Sequence, residues 1–442
     1  MNPTWNILRE HVKNLLLILA AAALTAGCFS SVEPPQPTST SPPLSPTAPV
    51  ESPTVQTSPP EKPTTPSPTI EPTETARPEP VRVILFIGDG MGAEHRQAAA
   101  WMGFGRDGQL VMDGLKVHGS LRTSSVGNQV TDSAAAATAL ASGVKTRNGL
   151  VGLNPDGEEV ITAFDRAQEL GLAVGLVTNT PLPHATPAGF AAHSENRWDM
   201  NGIAPQLLEA EVDVLLGGGE NYFLPTGSQG CHPEPGKRED GRNLVAEAQK
   251  SSYHTLCRPE ELAALETAGI DRLLGVFADE GIPRPFQPSL AEMTSAAVEV
   301  LSQDPEGFFL VVESGQIDWA SHGNVAANAI LDTLALDEAV RVGLDFADCH
   351  ANTLLIVTAD HETGGMDTHS QPTGNAGEDG PFTGPGEFVF YVTWTTKTHT
   401  SALVPVTAQG PGAYILEGEN DITAVYHAVL EALAVRGEPV LQ

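Results

Sequence analysis

After residue 80 the chain carries short, nearly unbroken apolar runs: VRVILFIG (81–88), LAVGLVT (172–178), VDVLLGG (212–218), FFLVVES (308–314) and NTLLIVTA (352–359). Runs of this length without polar alternation predict strands covered on both faces. Helical patterns separate them: the alanine run after Ser133, then Ile161–Leu170, Met293–Leu301 and Leu331–Ala347. Strands alternating with helices predict an α/β fold with a large, doubly wound, mostly parallel sheet flanked by helices on both faces. No internal repeat is evident. The Gly-rich stretch 374–386 reads as an excursion over the sheet edge or over the site.

Open α/β sheets bind ligands at the carboxyl ends of their strands. Asp89 follows the first run. Thr178-Asn179-Thr180 closes the second, with His184-Ala185-Thr186 just beyond. Glu313 ends the fourth, followed by Asp318 and His322, and Asp360-His361 ends the fifth. One Asp after a strand is ordinary turn chemistry; four such strand ends together predict a site. Carboxylates and imidazoles without thiolate suit zinc or a similar first-row ion, and magnesium where oxygens dominate. Asp318 and His322 share a face if their stretch is helical.

The segment VTDSAAAATALASGVKT (130–146) predicts a helix beginning at or just after Ser133. Its free backbone N–H groups would favour an oxyanion or phosphate beside the serine hydroxyl. Asp132 and Ser133 are equally good helix caps, so this stretch alone leaves both readings open.

The chain's 442 residues and 40% hydrophobic content are ample for one large core. The formal net charge of −32 argues against nucleic-acid binding. Residues 1–28 read as an export signal: Arg9 and Lys13 precede the apolar run Leu15–Ala26, which is short for a membrane span. The run ends in Leu24-Thr25-Ala26-Gly27-Cys28 and resembles a bacterial lipobox, with Thr25 where leucine usually stands. That implies lipidation at Cys28 and a membrane-anchored protein facing the periplasm or exterior. Residues 29–80 form a Pro/Thr/Ser-rich linker; residues 33–80 hold 16 prolines, 10 threonines and no aromatic residue, too little apolar surface to fold. The remaining residues, 81–442, are expected to form the folded domain. Cys231 and Cys257 are expected to pair, leaving Cys349 free or buried.

Six motifs in order resemble the alkaline phosphatase family: IGDGMG (87–92), VTDSAAAATALASGVKT (130–146), HATPAGFAAH (184–193), VVESGQIDWASH (311–322), TADHETGG (358–365) and THTSALVPV (398–406). The resemblance implies an α/β sandwich, two Zn2+ and one Mg2+, and hydrolysis of phosphate monoesters through a phosphoserine. It implies that Ser133 is the nucleophile and that Asp318, His322 and His399 hold one zinc. Asp89, Asp360 and His361 would hold the other, with Asp89 bridging to a magnesium completed by Thr186 and Glu313. Arg197, in ENRWD, matches the arginine that grips phosphate. His184 and Trp319 stand where the enterobacterial form has Asp and Lys and other members have His and Trp; an indole there implies a looser hold on phosphate. The remaining histidines, such as His193 and His369, read as structural or surface groups. Family precedent implies a homodimer acting on small phosphate monoesters. A phosphodiesterase, sulfatase or phosphonate hydrolase on the same scaffold, or an inactive ligand-binding lipoprotein, are the competing readings.

Overall fold

A computed structural model describes residues 79–434. The export signal, Cys28 and nearly all of the linker lie outside the described residues. Ten strands form one sheet: β1 (Val81–Gly88), β2 (Val117–Arg122), β3 (Ala173–Pro181), β4 (Val214–Gly218), β5 (His254–Leu256), β6 (Leu273–Val276), β7 (Gly307–Ser314), β8 (Thr353–Thr358), β14 (Val404–Gln409) and β15 (Gly418–Asp421). Their order is β15-β2-β14-β8-β1-β7-β3-β4-β6-β5. Every pairing is parallel except those of β14, which runs against both β2 and β8. Strands β7 and β8 are buried along their whole length, and only Arg82 of β1 is not. That is what their unbroken apolar sequence requires.

Two adjacent residues show the double winding. Phe308 packs on Phe346 of the helix Ala326–Cys349, with ring centroids 5.6 Å apart. Phe309 packs on Phe164 of the helix Ala163–Glu169 at 5.0 Å. Neighbouring strand residues point to opposite faces, so helices cover both sides of β7.

Five shorter strands complete the fold. β9 (Glu362–Thr363) pairs with β13 (His399–Thr400), while β10 (Met366–His369), β11 (Asp379–Thr383) and β12 (Val389–Trp394) form a small antiparallel sheet. The Gly-rich stretch 374–386 supplies β11 of that sheet. The sheet abuts the helix Ala93–Phe104, where Trp101 meets Phe388 and Phe390 edge-on at 5.1 and 5.6 Å.

Cys231 and Cys257 form a disulfide. Cys349, expected free or buried, is neither: it is exposed at the end of its helix, and no described cysteine is free. Its exposure follows from its place in the last turn, past the apolar face that packs on the sheet. Among the described residues no helix is long and apolar enough to cross a membrane.

Candidate active site

Adjacent strands β8, β1, β7 and β3 end side by side. In this register Ile87 of β1 stands beside both Glu313 of β7 and Thr358 of β8, and Thr178 of β3 stands beside Glu313. Asp89 and Asp360 emerge one and two residues past the ends of β1 and β8. Carboxylates that are distant in sequence therefore meet in one layer.

The helix Ser133–Ser142 brings the serine. Asp132 is its N-cap and accepts from the Ala135 N–H at 3.0 Å. That resolves the two readings of this stretch. Asp132 performs the capping, and the Ser133 hydroxyl turns instead to His361, with Oγ 3.3 Å from Nε2. The alanines have a second effect. A Cβ added at Gly189 would lie 2.7 Å from Ala137 Cβ, so this helix and Ala185–Ala191 approach too closely for larger side chains. That approach seats Thr186 in the same layer as Ser133.

Three imidazoles have their Nδ1 atoms committed. His322 Nδ1 donates to the Lys397 carbonyl at 2.6 Å and His399 Nδ1 to the Thr131 carbonyl at 2.8 Å. The Thr363 hydroxyl donates to Asp318 Oδ1 at 2.6 Å, so it accepts from His361 Nδ1 at 3.2 Å. These partners assign the Nδ1–H tautomer to all three rings and leave each Nε2 as a lone pair. The lone pairs converge on other acceptors. His322 Nε2 lies 3.1 Å from His399 Nε2 and 3.4 Å from Asp318 Oδ2. His399 Nε2 is 3.5 Å from Asp318 Oδ1. His361 Nε2 lies 3.1 Å from Asp360 Oδ2 and 3.5 Å from Asp89 Oδ1.

Several buried atoms here have no hydrogen-bond partner: both carboxylate oxygens of Asp89, Asp360 Oδ2, Glu313 Oε1, Thr186 Oγ1 and His184 Nδ1. An orphaned buried acceptor costs about 1–3 kcal/mol, and buried polar groups are almost always satisfied. Acceptors facing acceptors are the arrangement a bound cation would satisfy. Three donor groups lie within 4.8 Å of one another: Asp318 with His361 and His399, Asp89 with Asp360 and His361, and Asp89 with His184 and Glu313.

Electrostatics say the same. Burial, reinforced by Asp360, Asp318 and Glu313, raises the Asp89 carboxyl well above its usual range. Burial pushes Asp360 to about 7 even though the Gly90 N–H bonds to it. Burial also raises Glu313, against the pull of the Thr178 and Thr180 hydroxyls that donate to it. Burial, then His399, Arg197 and His322, holds His361 neutral, and burial with Arg197 depresses His184 to about 3. A cluster that resists both carboxylate and imidazolium charge is one that positive ions would stabilise.

Arg197 is 8% exposed and pairs through Nη1 with Asp132 Oδ2 at 3.1 Å; its Nε is buried without a partner. Trp319 meets His184 edge-on at 6.0 Å and is 39% exposed. The expected site residues that fall among the described residues gather here; Cys28 lies outside them. His193 holds the Gly152 carbonyl and His369 the Thr393 hydroxyl, both away from the cluster. Sequence reasoning missed Thr363, which links Asp318 to His361, the tie from Asp132 to Arg197, and the roles of Thr178 and Thr180. A hydroxyl that orients a ligand leaves no spacing signal; only the pairing of β9 with β13 places Thr363.

Carboxylate and imidazole donors set around a serine at a helix start, on the strand ends of a doubly wound sheet, define a polynuclear metal-site class of α/β protein. The family model described as alkaline phosphatase matches residues 81–383, and the chain belongs to the alkaline phosphatase family. It is 36% identical over 299 residues to alkaline phosphatase 3 of Bacillus subtilis, covering 64% of this chain and 61% of that protein. Among solved structures, alkaline phosphatase from the Antarctic bacterium TAB5 superposes with a TM-score of 0.69 at 29% identity, covering 81% of this chain and 99% of that one. A variant of the same Antarctic enzyme, with a histidine replaced by aspartate and Mg bound in a site termed M3, gives 0.67 at 30% identity, covering 80% and 98%.

Proposed function

We propose that the chain hydrolyses phosphate monoesters, releasing inorganic phosphate and an alcohol, with Ser133 as nucleophile. The observation that carries this reading is the convergence of three unprotonated Nε2 atoms and orphaned carboxylate oxygens beside the Ser133 hydroxyl. Asp318, His322 and His399 would hold one Zn2+, and Asp89, Asp360 and His361 the other. Asp89, Thr186 and Glu313 would hold Mg2+, with His184 beside them. The relative described with Mg bound in a site termed M3 supports magnesium among the ions. Bound there, such ions lower the pKa of hydroxyl and water ligands and neutralise charge building on phosphoryl oxygens.

The chain supplies position and orientation. Ser133 Oγ sits in the first helical turn, whose N–H groups and dipole favour an anion. It attacks phosphorus in line with the departing alkoxide, giving phospho-Ser133, and water then releases phosphate. Arg197 presents a planar fork to two phosphate oxygens, and Asp132 fixes that fork by holding Nη1. Thr363 keeps His361 in the tautomer whose lone pair faces the serine.

The export signal, the Pro/Thr/Ser-rich 29–80 linker and a lipid at Cys28 would hold the 81–442 catalytic domain outside the cytoplasm at a membrane surface. A homodimer is the assembly family precedent supports. The direct test of the mechanism is an acid quench during turnover followed by peptide mass spectrometry. A phosphoryl group on Ser133 is the expected result; turnover with no phosphoserine at that position contradicts it.

A further inference from the structure

Two tryptophans at the mouth of this site are left out of the core. Trp198 is 68% exposed and Trp319 39%. Each touches a residue of the site. The Trp198 ring lies 4.9 Å from the Arg197 guanidinium carbon, and Trp319 stands edge-on to His184. Trp319 is also flush with the backbone: a Cβ on Gly281 would fall 2.7 Å from its ring. A chain of contacts links the segments that carry the two indoles. Asn201, three residues past Trp198, donates to the Lys237 carbonyl at 3.5 Å. Lys237 pairs with Glu280, which precedes Gly281 beneath Trp319.

A single exposed indole needs no explanation. Two beside one site, each against a site residue, do. An indole brings no charge to a phosphate. Its chemistry is stacking on another flat π-system. Both rings are held by site contacts, so little freedom remains to be lost when a ligand arrives. With the phosphoryl group inside at Ser133 and Arg197, the part of a substrate left to meet the exposed indoles is its alcohol.

Resting on the phosphomonoesterase reading above, we infer that Trp198 and Trp319 form an aromatic subsite for the alcohol portion of the substrate. It selects monoesters whose alcohol is planar and aromatic or heteroaromatic, such as nucleoside monophosphates and aryl phosphates.

Adenosine 5′-monophosphate and ribose 5-phosphate test this, because they share a leaving group and differ in the base. The full chain, loaded with zinc and magnesium, is assayed on both. The expected kcat/KM ratio favours the nucleotide by roughly tenfold or more, the size base–aromatic stacking supports. Trp198→Ala and Trp319→Ala should each move the ratio toward one, and the Phe variants should restore it. Any general loosening of Arg197 lowers both rates and leaves the ratio unchanged. Quenching of tryptophan fluorescence by the nucleotide, reduced in Trp198→Ala and Trp319→Ala, reads binding without turnover. Quenching that depends on these residues in a protein that hydrolyses neither ester keeps the subsite and rejects the phosphatase reading. A wild-type ratio near one, or ratios unmoved by both alanine variants, overturns the subsite.

Discussion

Asp132 joins the start of the Ser133 helix to Arg197. Its Oδ1 caps the helix at the Ala135 N–H, and its Oδ2 accepts from the Gly149 N–H at 3.0 Å and from Arg197 Nη1 at 3.1 Å. The helix that carries Ser133 and the Arg197 guanidinium therefore share one carboxylate as their reference point.

Arg197→Ala should lower kcat/KM for a monoester by roughly 10- to 100-fold, the loss of one or two charge-assisted hydrogen bonds. Arg197→Lys should recover only part of it, because an ammonium cannot form the fork. Steady-state kinetics on both variants check this; full recovery by lysine would show that charge alone suffices.

Ser133→Ala should abolish nearly all monoester turnover while leaving metal content unchanged, since the hydroxyl is not needed to build the donor clusters. Phosphate release and elemental analysis of the same preparation decide it. Turnover near the wild-type rate in a metal-loaded variant would remove Ser133 from the mechanism.

Thr363→Val keeps shape and removes the hydroxyl between Asp318 and His361. Metal affinity should fall about 10- to 100-fold, as is typical when a ligand loses its orienting partner. Competition against a chromophoric chelator measures it without reference to catalysis. Unchanged affinity would mean that packing alone orients His361.

Asp337 gives a pH prediction away from the site. Its carboxylate accepts from the Val111 and Met112 N–H groups at 3.0 and 2.9 Å, yet burial raises it to about 6. A carboxyl whose folded pKa is raised stabilises the fold most below its unfolded pKa and loses that contribution as pH climbs through the folded value. Between pH 4 and 7 the wild type should therefore lose stability relative to Asp337→Asn, by on the order of 2 kcal/mol. Denaturant unfolding of both proteins across that range reads the slope; parallel profiles would contradict it.

The sequence made visible what burial and backbone chemistry dictate. The central strands β1, β3, β4, β7 and β8 are apolar because both faces are covered, so their runs stand out. Asp89, Glu313 and Asp360 stand out because they interrupt or follow those runs. The half-exposed β2 and the short β5 and β6 carry no comparable signal, and Pro405 obscures β14. Asp132, Thr178, Thr180 and Thr363 act through tertiary hydrogen bonds, so their roles appear only once the strands are in register. Trp198 reads as an ordinary residue beside Arg197 until its exposure is known.

The central claim is metal-dependent phosphomonoester hydrolysis, and p-nitrophenyl phosphate turnover by the full chain tests it most directly. Activity is followed from pH about 7 to 11, before and after chelation, with zinc and magnesium then restored, beside the bis-ester and the sulfate. The account predicts activity that strengthens at alkaline pH, disappears on chelation, returns with both metals and strongly favours the monoester. A folded, metal-loaded protein that leaves the monoester intact, or prefers the bis-ester or the sulfate, would contradict it.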